Sequence, residues 1–251
     1  MKTNRILLLI PLVGLLACSK NNSTTPTPAL QNAKITVTPV QLPSAMSTYA
    51  QNNSYAASVT GYIAAANGLT TFTSELVVPA GGTNSGKITA SNARIAATES
   101  TTQTWTYTDP GTGQAVGYQV TDEGTSYLWE YFFRASPNAS WIKVINASEQ
   151  KDGSLGDLKV YDYQGANPSV VTAEYNWTKN ASQYVFTYTD NTGPDYFVIT
   201  VNNDKSGNIV GYNGTGASAL LAYKYTWGAD GHGTWTLYDT DGVTVTGSGT
   251  W

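Results

Sequence analysis

Few side chains in this sequence are suited to nucleophilic or metal chemistry. The 251 residues contain a single histidine, His232, and a single cysteine, Cys18. A zinc site built from histidine and cysteine needs three or four such ligands, so the sequence predicts no metal centre of this kind, and nothing in it points to a cofactor. His232 lies in the run Asp230-Gly231-His232-Gly233, where we expect a solvated turn residue and not a general base.

Carboxylates are the remaining candidates for acid–base chemistry. Glu130 lies in a stretch that is apolar on both faces, where burial would raise its pKa. Glu174 and Asp157 are candidates for the second carboxylate of a glycosidase pair. The alternative is that Glu130 sits near an edge or pairs with Lys143 or Arg134. That alternative carries more weight, so the sequence favours a protein that is not an enzyme and predicts no catalytic residue.

Residues 202–207 (NNDKSG) have the oxygen-rich spacing of the start of a calcium loop. Such a loop needs a bidentate glutamate near its end, and Asn213 occupies that position. We therefore expect a turn here, and no metal ligand.

Tyrosine and tryptophan are the side chains that stand out by number. The chain has 17 Tyr and 7 Trp but only 5 Phe. Exposed rings of this kind stack on sugar rings, and enclosed ones bind apolar ligands. The candidate ligand contacts are Tyr175, Trp177, Tyr225, Trp227 and Trp235. The same rings on an inward face are core, and the alternation of side chains along the strands favours core for most of them.

The N-terminus has the organisation of a signal peptide. Lys2 and Arg5 form a positive region, and residues 6–16 form an apolar run that is too short to span a bilayer. The run ends in Leu15-Leu16-Ala17-Cys18, which resembles the lipobox of bacterial lipoproteins. The resemblance implies that residues 1–17 are removed and that Cys18 becomes the first residue and is diacylated, palmitate being a typical acyl chain. It also implies attachment to the cell envelope of a Gram-negative bacterium, most simply its outer membrane.

The rest of the chain divides into a tether and one domain. Residues 18–33 are rich in Ser, Thr, Asn and Pro, which is typical of a flexible spacer. Residues 34–251 are expected to form a single β-rich domain, which begins with an edge strand over 34–42. Residues 44–66 carry apolar side chains at helical spacing, and Asn67-Gly68 predicts the end of that helix. A net charge of −4 and a pI near 4.9 argue against nucleic acid as a partner.

From residue 101 onward, short β-rich runs alternate with turn residues every 12 to 14 positions. This spacing leaves no room for helices between strands, so it predicts an antiparallel meander of about twelve strands. An aromatic residue followed by a turn recurs about every 26 residues, which indicates six hairpin repeats. Two units match closely, Asp204-x-x-Gly207-x-Ile209-x-x-Tyr212 and Asp230-x-x-Gly233-x-Trp235-x-x-Tyr238. A third, Asp152…Gly156-x-Leu158-x-x-Tyr161, is one residue longer.

The faces of these strands predict an all-β fold with a bent or closed, barrel-like sheet. One face is aromatic, and the strands near residues 127–145 are apolar on both sides, so we expect the helical segment to cover their second face. A bent meander with a helical element resembles, in architecture alone, the half-barrel of lipoprotein carriers of the LolA type.

The sequence therefore predicts a cell-envelope lipoprotein with a binding or structural role. Its partners would be the membrane, through Cys18, and a lipid or glycan ligand. The alternatives left open are a LolA-like carrier of an apolar ligand, a surface glycan-binding protein and a glycoside hydrolase that uses carboxylates.

Overall fold

The computed structural model describes residues 28–88, 101–165 and 167–251. The predicted signal peptide, Cys18 and most of the predicted tether lie outside the described residues. Three helices come first in the chain: α1 (Pro28–Gln31), α2 (Met46–Asn52) and α3 (Ser54–Ser74). Thirteen strands follow: β1 (Thr83–Ser85), β2 (Thr101–Thr108), β3 (Ala115–Asp122), β4 (Ser126–Arg134), β5 (Ile142–Gln150), β6 (Leu155–Tyr161), β7 (Val171–Lys179), β8 (Gln183–Asp190), β9 (Asp195–Asn202), β10 (Gly207–Asn213), β11 (Leu220–Trp227), β12 (Gly233–Tyr238) and β13 (Val245–Thr250).

The strands form one antiparallel sheet in which every strand pairs with its neighbours in sequence. The sheet is curled but not closed, and β1 and β13 are its two edges. The prediction of an all-β meander with a helical segment packed on it is confirmed. Strands β2 to β13 are the twelve expected beyond residue 101, and the short β1 adds one more.

Aspartates at the hairpin turns explain much of the turn pattern. The side chains of Asp109, Asp190 and Asp241 each accept hydrogen bonds from backbone N–H groups two and three residues further on. These bonds tighten each turn by replacing backbone partners that the ladder does not supply. Thr112 donates hydrogen bonds to Asp109, and Thr244 donates hydrogen bonds to Asp241. These bonds hold the pKa of each aspartate below its ordinary value.

The repeated glycines are sites where a tryptophan ring lies on the backbone of the next strand. Trp177 stands opposite Gly156, and Trp227 stands opposite Gly207. A Cβ atom added to Gly156 would lie only 2.2 Å from the indole of Trp177, and one added to Gly207 would lie 2.7 Å from that of Trp227. The repeat noticed in the sequence is therefore a packing unit, because only glycine leaves room for the ring.

Helix α3 lies on the aromatic face of the sheet. It begins at the Asn53 cap, whose side chain accepts the N–H groups of Tyr55 and Ala56. The ring of Tyr55 stacks on Trp235 with 3.9 Å between centroids, and Tyr62 meets Phe197 edge-on at 5.0 Å. The helix joins the strands in one core through five buried apolar side chains: Ala56, Val59, Ile63, Ala66 and Leu69.

The expected position of the helix was wrong. Its tyrosines contact β9, β11 and β12. The chain after the helix reaches β3, where Tyr118 donates to the Leu76 carbonyl at 3.3 Å, and β4, where Tyr131 donates to the Val77 carbonyl. The second face of β4 is instead covered at Phe132 by Ile88 and Trp141. The physical reason is that nearly all of the buried apolar side chains of the sheet lie on the aromatic face, so the apolar helix covers that face.

The predicted first strand, residues 34–42, is an extended segment without a β ladder, here called the strap. Its alternation holds at Ile35 and Val37, which are buried, and Val40 is buried after a break in that period. However, its backbone bonds to side chains: Asn67 accepts the Val40 N–H at 2.7 Å and donates to the Val40 carbonyl at 2.9 Å. This use of Asn67 also explains why the helix does not end at Asn67-Gly68 but continues to Ser74.

Substitution Gly68→Ala tests the longer helix. Gly68 lies inside α3, and a Cβ atom there meets nothing within 4 Å. We expect the substitution to raise the free energy of unfolding by about 0.5–1 kcal/mol, because alanine loses less backbone entropy in a helix. Urea denaturation measures the change. The control is Gly231→Ala, at a φ of 84° and close to Met46, which should destabilise the protein. A destabilising Gly68→Ala would place Gly68 at a helix end and contradict the structure.

Candidate functional site

The five predicted ligand-contact aromatics lie on the inner face, towards α3. Tyr175, Trp177, Tyr225 and Trp227 are each 9% exposed or less and belong to the main core. Trp235 is half-buried against Tyr55. The structure thus places these rings in or against one core, where Tyr225 and Trp235 lie beside Tyr55 of α3. Ligand binding by these rings stays a prediction.

None of the five aromatic residues lines either of two clefts on the described surface. The larger, about 300 Å³, lies on the outer face over β5, β6 and β7. The smaller, about 170 Å³, lies between the strap and the ends of β8 and β9. The larger cleft is mostly polar and includes two of the carboxylates singled out in the sequence, Asp157 and Glu174.

Glu130, the third of those carboxylates, lies in a buried polar network. Its Oε1 is 2.5 Å from the Lys143 ammonium, and its Oε2 accepts a hydrogen bond from Gln119 at 2.7 Å. Gln119 in turn accepts from Thr104 and from the backbone of Ile88, which ties the covering segment to the sheet. The expected pairing with Lys143 is therefore present. An ion pair enclosed in this way has its partners inside the fold, which suits a structural role.

His232 is a turn residue, as predicted, and it joins two elements. Its Nε2 lies 2.8 Å from the Tyr49 hydroxyl of α2, and its Nδ1 lies 3.2 Å from the carbonyl of Trp251. Residues 202–207 also form a turn, in which Asp204 accepts from the backbone and hydroxyl of Ser206. Across the described parts of the chain, no group of three or more His, Cys, Asp or Glu is placed to hold a metal ion.

Sequence reasoning missed Glu149, which is 3% exposed on the inner face of β5. Its Oε2 accepts from the backbone and hydroxyl of Thr36, at 2.8 and 2.9 Å, and its Oε1 accepts from the indole of Trp177 at 3.1 Å. This carboxylate fixes the strap against the sheet. Burial raises the pKa of Glu149, and the hydrogen bonds from Thr36 and Trp177 partly oppose that rise. The signal in the sequence that could have found Glu149 is an acidic residue at a position that the alternation of β5 turns inward.

The larger cleft is built from side chains that point outward from adjacent strands. Across the ladder Ser148 faces Asp157, and Asp157 faces Asn176. In the next row Lys159 faces Glu174, with its ammonium 3.7 Å from the Glu174 Oε1. Sequence reasoning named Asp157 and Glu174, and the register of β6 and β7 explains why they meet.

Burial within this cleft perturbs its carboxyl group. It raises the pKa of Asp157, while a hydrogen bond from Ser148 and the charge of Lys159 oppose the rise. Burial also raises the pKa of the nearby Tyr161 hydroxyl, and the carboxylates of Glu130, Asp157 and Glu174 add to it. The site therefore places a desolvated carboxyl beside an ammonium-paired carboxylate.

Comparison with known proteins gives no family. No family model matches the chain, and no curated protein matches it. Within the described residues, no helix combines the length and the apolar character needed to cross a membrane.

The raised pKa of Glu149 predicts a pH-dependent effect of Glu149→Gln. When folding raises the pKa of a carboxyl group, the protonated group stabilises the folded state. This stabilisation is complete at a pH below the pKa of the unfolded chain, and it is lost as the pH rises through the pKa of the folded protein. The free energy of unfolding of the wild type minus that of the variant should therefore fall as the pH rises above about 4.5. Urea denaturation at several pH values measures it.

Asp241→Asn is the control with the opposite sign. Hydrogen bonds from the Thr244 side chain, and from the backbone of Val243 and Thr244, lower the pKa of Asp241. The corresponding difference should fall as the pH is lowered through the acid range below about pH 4, and it should stay level at higher pH. A difference for Glu149→Gln that rises with pH would contradict the assignment of a desolvated carboxylate to the strap contact.

Proposed function

We propose that the protein is a lipoprotein of the cell envelope that serves as a binding or structural module and not as an enzyme. The observation that carries the proposal is Leu15-Leu16-Ala17-Cys18, which puts the sole cysteine of the chain at the lipobox position behind an apolar run. Acylation at this position anchors a protein stably, because two or more chains bind the bilayer where one binds weakly.

Among the residues that the structure describes, packing begins at a position that fits a tethered domain. Leu30 is 3% exposed and belongs to the main core, twelve positions after Cys18. The hydrophilic residues between them have the composition of a flexible spacer. A spacer of this length lets the domain lie beside the membrane while the acyl chains stay in the bilayer.

A carrier of an apolar ligand in the aromatic interior is the weaker alternative. A carrier needs an open apolar cavity, but Tyr175, Trp177, Tyr225 and Trp227 are occupied by contacts within the core. Release of α3 from the sheet would expose the stacked pair of Tyr55 and Trp235 and the buried stripe of the helix. The large apolar area to be exposed argues against such opening as a routine step.

A glycoside hydrolase is favoured by one observation, the presence of Asp157 and Glu174 in the same cleft. Glycosidases use such a pair, with one carboxyl held protonated near neutral pH. Lys159 favours binding over hydrolysis. Its ammonium pairs with Glu174, the carboxylate that would have to act as nucleophile or base. We therefore place hydrolysis behind binding.

Cys18→Ser tests the anchor. In a Gram-negative host grown with an alkynyl fatty acid, the wild type should carry the label and sediment with the membranes. The variant should carry no label, because serine has no thiolate to acylate. Ser19→Ala, one residue further on, should behave as the wild type. Retention of the label by Cys18→Ser, or absence of label from the wild type, would contradict the proposal.

A further inference from the structure

We propose that the cleft over β5, β6 and β7 is a binding site for an uncharged, hydroxyl-rich ligand, a neutral saccharide, on the outer face of the sheet. The inference deepens the proposed function, because it gives the tethered domain a ligand and a place for it. The groups that carry it are Ser148, Asp157, Lys159, Glu174 and Asn176, all on the lining of one cleft of about 300 Å³.

The cleft is held on rigid elements. Its side chains stand on three paired strands, and the inner face of the same strands is fixed by core residues. Behind Asp157 and Lys159, Leu158 is fully buried, and the Trp177 ring covers Gly156. Side chains on such a scaffold keep their positions before a ligand arrives, which lowers the entropic cost of binding.

The polar groups of the cleft are only loosely paired with one another. The Lys159 ammonium is 3.7 Å from the Glu174 Oε1, and the Asn176 amide donates to the same oxygen at 3.4 Å. Both separations are long for a hydrogen bond, so each group keeps capacity for a closer partner. A ligand hydroxyl both donates and accepts, so one hydroxyl can donate to a carboxylate while it accepts from the ammonium or the amide.

Desolvation of Asp157 also favours a ligand that carries hydroxyl groups. This carboxyl has lost part of its water to burial, as its raised pKa reflects, yet Ser148 is the side chain that supplies it a hydrogen bond. A ligand hydroxyl would restore a donor to it. Hydrogen bonds to charged groups are among the stronger ones in proteins, which makes Asp157 the contact expected to matter most.

Charge and size restrict the ligand. The lining carries two acids and one lysine, so the site repels phosphate, sulfate and uronate groups. Its volume is at the small end of the ~300–1,000 Å³ range of ligand sites, which suits one or two sugar rings. Leu155, at the rim and 49% exposed, offers the apolar contact that a ring face needs. The smaller cleft carries Lys179 and Lys205 and lacks acids.

Saturation-transfer NMR on the mature, lipidated protein in detergent tests the site. The probes are the neutral tetrasaccharides of β-1,4-glucose, α-1,4-glucose, β-1,4-mannose and β-1,4-N-acetylglucosamine, with a tetragalacturonate as the anionic probe. We expect transfer to at least one neutral probe and none to the anionic one. Asp157→Asn and Glu174→Gln keep the side-chain shape but remove a charge, and each should weaken binding about tenfold or more.

Asp195→Asn is the matched control, since it removes an exposed carboxylate from another strand with the same change in net charge. It should bind as the wild type does, and thermal melting should confirm that all variants fold. Absence of transfer to every neutral probe, preference for the anionic probe, or equal binding by Asp157→Asn and Glu174→Gln would each overturn the site. The acyl-label assay tests the anchor separately from the saccharide site. A failure to bind saccharide therefore does not contradict the proposed lipoprotein, and a missing acyl label does not account for a failure to bind.

Discussion

Coverage of one aromatic sheet face by helix α3 and the strap is the interaction on which the rest of the structure depends. An open sheet of thirteen strands exposes a large apolar face, and the one cysteine of the chain leaves it without an intramolecular disulfide. Helix α3 covers that face through Val59 and Ile63 and through the rings of Tyr55 and Tyr62. The excess of tyrosine and tryptophan is thus mainly architecture, because wide, flat rings fill the space between a curled sheet and a helix.

Buried polar groups then decide where each covering segment lies. Glu149 binds the strap at Thr36, Asn67 binds it at Val40, and Gln119 binds the segment at Ile88. Each of these side chains satisfies backbone groups that have no β ladder of their own. Since an unpaired buried polar group is costly, such contacts allow one position of the segment and exclude shifted ones.

The two faces of the sheet therefore have different tasks in our proposal. The side chains of the inner face are used in packing, which leaves little space for the interior ligand that a carrier would need. The outer face presents a polar cleft around Asp157 and Glu174, on strands held rigid by that same packing. An acyl anchor at Cys18 would hold this cleft near the membrane surface. Stability and binding would then draw on opposite sides of the same strands.

The sequence by itself determined whatever depends on near neighbours in the chain. Turn residues and side-chain alternation yield the twelve-strand meander, and the Gly156 and Gly207 repeat marks a real packing unit. Tertiary structure alone decided the end of α3, the path of the strap, the face that the helix covers and the role of Glu149. The physical reason is that each of these is settled by partners far away in the chain: Asn67 bonds to Val40 and does not cap a helix, and Thr36 lies 113 positions from Glu149. A local pattern records which side of an element is apolar, but it does not record what will cover it.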